Sequence, residues 1–284
     1  MSYQEYEESL FHGEPVELFL FTYGSGVNDF VAYTDSEITI THEGRTYVPF
    51  PLERDAINSS GTLDKSGLSL RVDGNSAIAE LFRVYPPSQT VSLIIKAGHI
   101  GDPDSDFNVI WTGRVLSCGW ENNIATLTCE PVASSMLRTG LRRHYQYGCP
   151  HALYMGTAEG GCRASKAAAT RSTTVAAITG SLLTLPSGWN GPHDKQKFVN
   201  GLIEWTAPGG SVVRRSLLRV NSTTNVITMG GPIPALTVGA TVAVILGCNH
   251  QMTDCADLHN NINDFGGQPW IPTKTPFGNT QNYY

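Results

Sequence analysis

Lysine is scarce in this chain, at six of 284 residues. Charged residues of all kinds make up 15%, against about 25% in an average soluble protein. The net charge of −6 and pI near 5.7 argue against a dedicated nucleic-acid binder, which carries a basic surface. No apolar run approaches the ~20 residues needed to cross a bilayer. The longest clean one is Thr241-Val-Ala-Val-Ile-Leu246, so stable membrane insertion is not expected. The acidic start, Met1-Ser-Tyr-Gln-Glu-Tyr-Glu-Glu-Ser9, lacks the basic residues and apolar stretch of a signal peptide. The expectation is a soluble protein made in a reducing cytoplasm. Also missing are a phosphate-binding P-loop, a dinucleotide fingerprint, a nucleophile elbow and an H-E-x-x-H zinc helix, which leaves the common enzyme classes without a motif.

In place of charge the chain carries 29 glycines and 27 threonines, a composition that favours sheets and tight turns over long solvated helices. Apolar residues reach 40%, enough for a packed core. Period-2 alternation dominates the first ~130 residues and predicts strands at 17–23, 37–42, 45–48, 68–72, 91–96, 109–120 and 124–129. Glu43-Gly44 reads as a two-residue hairpin turn pairing Thr41 with Thr46 and Ile40 with Tyr47. One short helix fits 77–83, capped by Asn75 or Ser76. Residues 134–145 suggest a turn or two of helix. A second β-rich stretch runs from Thr173 to Leu246, with Gly180-Ser181 as a type II′ turn pairing Ile178 with Leu183. Its size and turn density predict a small β-barrel or sandwich. Thr253 is the expected N-cap of a helix over 254–261, ended by Gly266-Gly267. The proline-rich stretch after it reads as an extended arm. The fold class is mainly β, with boundaries at 1–135 for an N-terminal β-rich domain, 136–170 for a linker, 171–247 for the small barrel and 248–284 for the helix and arm.

Six cysteines divide into two kinds. Cys118 and Cys129 lie on the arms of a predicted hairpin turning at Asn122-Asn123. That register puts Leu116, Cys118, Trp120, Ala125, Leu127 and Cys129 on one apolar face, where free cysteines behave as small hydrophobes. The other four form two pairs, Cys149-x12-Cys162 and Cys248-x6-Cys255, in irregular Gly-flanked segments on either side of the second β-rich stretch. If the ends of that stretch meet, as domain ends commonly do, all four thiols converge. Two disulfides would need an oxidising compartment. A four-thiolate zinc site is chemically sound, although zinc ligands usually come in C-x2-4-C pairs. An iron–sulfur cluster also takes four thiolates, although its C-x2-C runs are missing here. Spacing leaves these alternatives open beside unligated thiols. His151 and His250, each two residues after a cysteine, are candidates to replace a ligand or to support one from behind, with a polar loop role as the plainer alternative.

Cys149-Pro-His151, the later Gly161-Cys162, Gly247-Cys-Asn-His250, Asp254-Cys255 and the closing Asn263-Asp-Phe-Gly-Gly-Gln-Pro-Trp-Ile-Pro272 resemble a family of tail-tip (baseplate hub) proteins of long-tailed phages, which includes those of phage lambda and of gene transfer agents. The first 131 residues are similar to this family at Asn58–Ser66, Leu81–Pro87, Gly101–Pro103, Trp111–Val115 and Ala125–Pro131. The match extends from about residue 15 to 277. The resemblance implies a non-enzymatic virion protein at the tail tip, assembled in the bacterial host cytoplasm. It implies an N-terminal hub domain, an inserted small β-barrel and a cysteine-ligated metal-cluster segment joining them. The cofactor it implies is a [4Fe-4S] cluster on Cys149, Cys162, Cys248 and Cys255, with zinc as the alternative. The implied partners are two further copies in a homotrimer around the tail channel, a distal tail protein, a central tail fibre or receptor-binding protein and a tape measure protein, with DNA only in transit.

Other motifs carry less. Asp102-Pro-Asp-Ser-Asp-Phe-Asn108 begins like a calcium loop but lacks glycine at its sixth position and a carboxylate at its twelfth, so a strand connection is expected. Arg138, Arg142, Arg143 and His144 form a basic cluster beside Cys149, readable as a contact surface or as a solvated face. Cys149 and His151 resemble a hydrolase thiol–imidazole pair only superficially, because such partners come from separated elements. An iron–sulfur redox enzyme is the rival from another class, and no companion cofactor motif accompanies it.

Overall fold

The computed structural model describes residues 3–9, 13–24, 26–57, 67–83, 87–137, 140, 144–156, 161–207, 212–231, 233 and 235–272. The chain divides into two compact units, Met1–Arg138 and Thr139–Tyr284. Both are built mainly from antiparallel strands, as the Thr- and Gly-rich composition predicts.

Among the described residues of the first unit, nine strands form one sheet: β1 (Pro15–Thr22), β2 (Phe30–Thr34), β3 (Ile40–His42), β4 (Arg45–Pro49), β5 (Leu52–Arg54), β6 (Leu68–Asp73), β7 (Val91–His99), β8 (Asn108–Glu121) and β9 (Ile124–Pro131). Their order is β3-β4-β2-β1-β7-β8-β9-β6-β5. Strand β1 is central and buried on both faces. Phe19 and Phe21 face the main core with Leu70, Leu93, Ile95 and Leu127, while Leu18 and Leu20 pack with Ala32 and Tyr47 on the other side. The hairpin at Glu43-Gly44 forms with the expected register, Ile40 opposite Tyr47 and Thr41 opposite Thr46. Its two turn residues adopt φ of 50° and 73°, the left-handed pair that matches strand twist. Helix Ala77–Arg83 is capped by Ser76, whose Oγ accepts from the Ala79 N–H at 3.2 Å. Its Ile78, Ala79 and Phe82 close one side of the core.

One expectation for this unit is corrected. Leu116 is exposed, because a bulge between Val115 and Ser117 breaks the alternation and turns it off the apolar face. Val115 takes its place opposite Cys129. The turn of helix expected within 134–145 is a 3₁₀ helix over Val132–Leu137, and 138, 139 and 141–143 lie outside the described residues. The motif at 58–66 and the arginines at 138, 142 and 143 lie outside them as well. The Asp102 loop is a strand connection whose buried carboxylate accepts from the N–H groups of Asp104 and Asp106 at 3.0 and 3.1 Å. A carboxylate used that way is holding the loop's own backbone.

In the second unit seven strands form a sheet among the described residues: β10 (Thr170–Thr174), β11 (Ala177–Thr179), β12 (Leu182–Thr184), β13 (Leu202–Thr206), β14 (Val212–Val220), β15 (Val226–Met229) and β16 (Thr241–Ile245). The order is β10-β16-β13-β14-β15-β12-β11. Ile178 pairs with Leu183 around a turn in which Gly180 takes φ of 60°, as the sequence predicts. The core gathers Leu183, Phe198, Ile203, Trp205, Leu217, Ile227 and Val244. The expected barrel is not formed. Closure requires a ladder between the two edge strands, and among the described residues β10 and β11 stay unpaired with each other.

The consequential pairing is β10 with β16. Thr170 lies opposite Ile245, and the Leu246 N–H donates to the Ala169 carbonyl at 3.1 Å. The strand that enters the sheet and the strand that leaves it are therefore neighbours.

Cys129 is 2% exposed inside the first unit, and burial pushes its thiol up to about 12. Cys118 is half-buried against the same core, its thiol also raised by burial. Cys129→Ser should cost about 1–3 kcal/mol in chemical denaturation, because the new hydroxyl is desolvated without a partner. The pH dependence has a definite sign. The folded state keeps the Cys129 proton above pH 9 while the unfolded chain releases it, so the unfolded state binds fewer protons and stability falls. The stability difference between wild type and Cys129→Ala should therefore move against wild type as pH rises from about 9 to about 12.

Candidate metal centre in the second unit

The β10–β16 ladder brings the segment after Cys162 beside the segment before Cys248, since Thr170 and Ile245 lie only a few residues from each. Gly247 locks the exit. Its N–H donates to the Lys197 carbonyl at 2.8 Å, and its own carbonyl accepts from His259 Nε2 at 2.9 Å. The Tyr154 hydroxyl donates to the adjacent Leu246 carbonyl at 2.8 Å.

The two cysteine loops are then tied to each other. The Cys149 N–H donates to the His250 carbonyl at 2.8 Å, and His250 Nδ1 returns a bond to the Cys149 carbonyl at 2.9 Å. A carbonyl can only accept, so Nδ1 carries the proton. His250 adopts φ of 60°, which turns its backbone N–H onto Cys248 Sγ at 3.3 Å. This side chain thus bridges the loops through their backbone.

His151 is buried, and its Nδ1 donates to the Asp264 carbonyl at 3.1 Å. Its ring lies against Gly266, where an added Cβ would come within 2.5 Å of it. The Gly266 N–H donates to Cys149 Sγ at 3.4 Å. The Asp264 carboxylate pairs with Arg163, the neighbour of Cys162, accepting from Nε at 2.8 Å. His144 is exposed beside this region and lines an open cavity of about 430 Å³ with His151, Asp264 and Gln268.

The helix carrying Cys255 differs from expectation. Thr253 is already helical and makes no capping bond. The Asn249 side chain does that work instead, accepting from the Gln251 N–H at 2.8 Å. Residues Asp254–Leu258 form a π turn, with the His259 N–H reaching the Asp254 carbonyl. Such widened turns recur at functional sites. The helix ends well before Gly266-Gly267, where Asn260 takes φ of 47° and Asn261 closes back on the Cys255 carbonyl at 2.8 Å. Asp254 is buried between Lys197 Nζ at 2.7 Å and the Asn249 N–H at 3.3 Å.

Cys255 and Cys248 are each influenced by the other cysteines of this unit. Burial raises the Cys255 thiol to about 11, and Cys149, Cys248 and Cys162 add to that rise. Cys248 is raised by burial, with contributions from Asp254, Cys162 and Cys149. Burial also raises Tyr154, with Cys248 and Cys162 adding to it. Thiols bind a metal only in their deprotonated form, so binding there would release protons. The cations beside them are already used, Arg163 by Asp264 and Lys197 by Asp254. Cys118 and Cys129 belong to the other unit. Among the described residues, no three or more His, Cys, Asp or Glu side chains are grouped to hold a metal ion.

These contacts show what sequence reasoning missed. Asn249, Asn261, Asp264 and Gly266 hold the cysteine segments, and only their nearness to cysteines in the sequence hinted at it. Gly247→Ala should destabilise the protein by about 3 kcal/mol, read from the denaturation midpoint. The new Cβ would lie 1.9 Å from the Val199 carbonyl oxygen and 2.8 Å from the Gly201 nitrogen, and backbone cannot step aside.

Comparison with known proteins adds three findings. Residues 196–275, a stretch that holds Cys248 and Cys255, match a family model described as "Phage conserved hypothetical protein BR0599". A Xylella fastidiosa (strain 9a5c) protein described as uncharacterized is 26% identical over 179 residues, covering 59% of this chain. The match spans 36% of that relative's length. A chain from the structure titled "Virion of native gene transfer agent (GTA) particle" is similar with a TM-score of 0.78 at 15% identity, covering 100% of this chain and 98% of the other. The full length of this chain therefore has the fold of a chain in a gene transfer agent virion, and residues 196–275 carry the sequence pattern of a phage family.

Proposed function

We propose that this protein is a non-enzymatic structural subunit of a phage-type virion, a tail-tip hub protein stabilised by an iron–sulfur cluster. The observation that carries the reading is the set of hydrogen bonds that joins the Cys149 segment to the Cys248 segment through His250, and the Cys162 sulfur to the Cys255 segment through Asn261. The full-length likeness to a chain of a gene transfer agent particle supports assembly with other virion proteins. In that assembly the chain would form a homotrimer around the tail channel, between a distal tail protein and the central receptor-binding fibre, with the tape measure protein above it and DNA passing through.

Cys149, Cys162, Cys248 and Cys255 would hold the cluster. When bound, it supplies four metal–thiolate bonds that fasten both ends of the sheet to one point, as disulfides do outside cells. The donor set fits this group. Four thiols suit soft metal chemistry, and the carboxylates of Asp254 and Asp264 beside them are engaged by Lys197 and Arg163. A single tetrahedral zinc would hold its sulfurs roughly 3.8 Å apart, given Zn–S bonds of about 2.3 Å.

Anaerobically purified protein should be brown and contain iron and acid-labile sulfide in equal amounts. Stoichiometric zinc without sulfide would replace the cluster by a zinc clip on the same scaffold. Cys255→Ser should lose most of the metal and fail to enter assembled tails, whereas Cys118→Ser should retain both. Equal metal loss in the two variants, or turnover of a substrate coupled to cluster reduction, would overturn the structural assignment.

A further inference from the structure

The four sulfurs do not share the same surroundings. Cys248 Sγ accepts from the His250 backbone N–H at 3.3 Å, and Cys149 Sγ from the Gly266 backbone N–H at 3.4 Å. Cys162 Sγ is different, because its donor is a side chain, Asn261 Nδ2 at 3.8 Å. The amide has to present its nitrogen here, since its oxygen would repel a thiolate. The backbone of the same residue grips Cys255. The Asn261 N–H donates to the Cys255 carbonyl at 2.8 Å. The Asn261 carbonyl also accepts from the protonated Cys255 thiol at 3.1 Å, a bond that metal ligation by the thiolate would replace.

Asn261 therefore touches one cysteine from before the sheet and one from after it. Its position is fixed on both sides. Asn260, at φ of 47°, ends the helix immediately before it, and the Asp264 N–H donates to its carbonyl at 3.1 Å immediately after. Asparagine suits the position because its amide sits only two torsions from the backbone, so a backbone held at Cys255 aims the nitrogen at Cys162.

We infer that Asn261 is a positioning residue of the metal centre, one that joins the two cysteine pairs and sets the charge on the Cys162 sulfur. The inference rests on the cluster reading above. An N–H bond to a ligand sulfur draws charge from it, which stabilises the reduced cluster and raises its reduction potential. The same bond holds Cys162 in ligating position when metal is challenged.

The test uses the full chain, purified anaerobically, as wild type, Asn261→Asp, Asn261→Ala and Asn263→Ala. Asn261→Asp is nearly isosteric, keeps the backbone grip on Cys255 and exchanges the N–H donor for a negative oxygen. Reduction potential is followed by optical titration and iron loss by its rate of transfer to a chelator. Both Asn261 variants should shift to more negative potential, Asn261→Asp further, and should release iron several-fold faster than wild type. Asn263→Ala, in the same turn, should match wild type in both. If the Asn261 variants keep the wild-type potential and release rate, or if Asn263→Ala shifts as far as they do, the role assigned to Asn261 is wrong while the cluster stands. Wild-type protein without iron and sulfide would instead remove the cluster reading itself. Circular dichroism of the metal-free chains separates misfolding from either result, and Asn261→Asp decides the matter if Asn261→Ala does not fold.

Discussion

The ladder between β10 and β16 is the constraint on which the rest of the second unit depends. Thr170 opposite Ile245 makes the first and last strands of the sheet neighbours, although some seventy residues separate them along the chain. Every later contact uses that adjacency. Cys162 leads into one strand and Cys248 follows the other, so the loops carrying the thiols leave from the same end of the sheet. Antiparallel pairing fixes this geometry through backbone hydrogen bonds and asks little of the side chains. This is how a stretch with few recognisable motifs can hold a chemically specific site at its root.

Around the thiols, the chain spends its polar groups on holding backbone. Asp254, Asp264, His151 and His250 all have the chemistry of metal ligands, yet each is engaged with a cation, a carbonyl or an N–H of a neighbouring segment. The soft sulfurs are left together, with N–H donors on three of them. Cys255 and Cys248, raised by burial and by the neighbouring cysteines, are costly to ionise without a cation beside them. A metal held there would couple its own binding to folding, which is the structural role proposed for the cluster.

Much of the fold was legible. The Glu43-Gly44 and Gly180-Ser181 hairpins, the Ser76-capped helix and the strands at 212–220 and 226–229 announce themselves through turn chemistry and alternation, which are local signals. The misses have physical reasons. Strand β2 is short and apolar at successive positions, so no alternation marks it. Leu116 was assigned to the core because a bulge leaves no trace in a period-2 pattern. Thr253 looks like a cap by residue type, whereas Asn249 caps the turn because the chain reaches the helix from the locked Gly247. The sheet was expected to close, and turn density alone cannot distinguish a closed sheet from one whose edges stay unpaired.

What the amino-acid sequence determined by itself was the division of labour among its cysteines: two on an alternating apolar face, four in Gly-flanked loops where regular structure cannot continue. It also determined the mainly β character, through the trade of lysine and charge for threonine and glycine. Only the tertiary structure decided that the four loop thiols belong to one group, since this depends on a strand pairing between residues 170 and 245. It alone decided which polar residues serve the sulfurs. Asn261 and Gly266 gain their roles from a widened helical turn and from the ring of His151, contacts fixed by packing in three dimensions that no local pattern encodes.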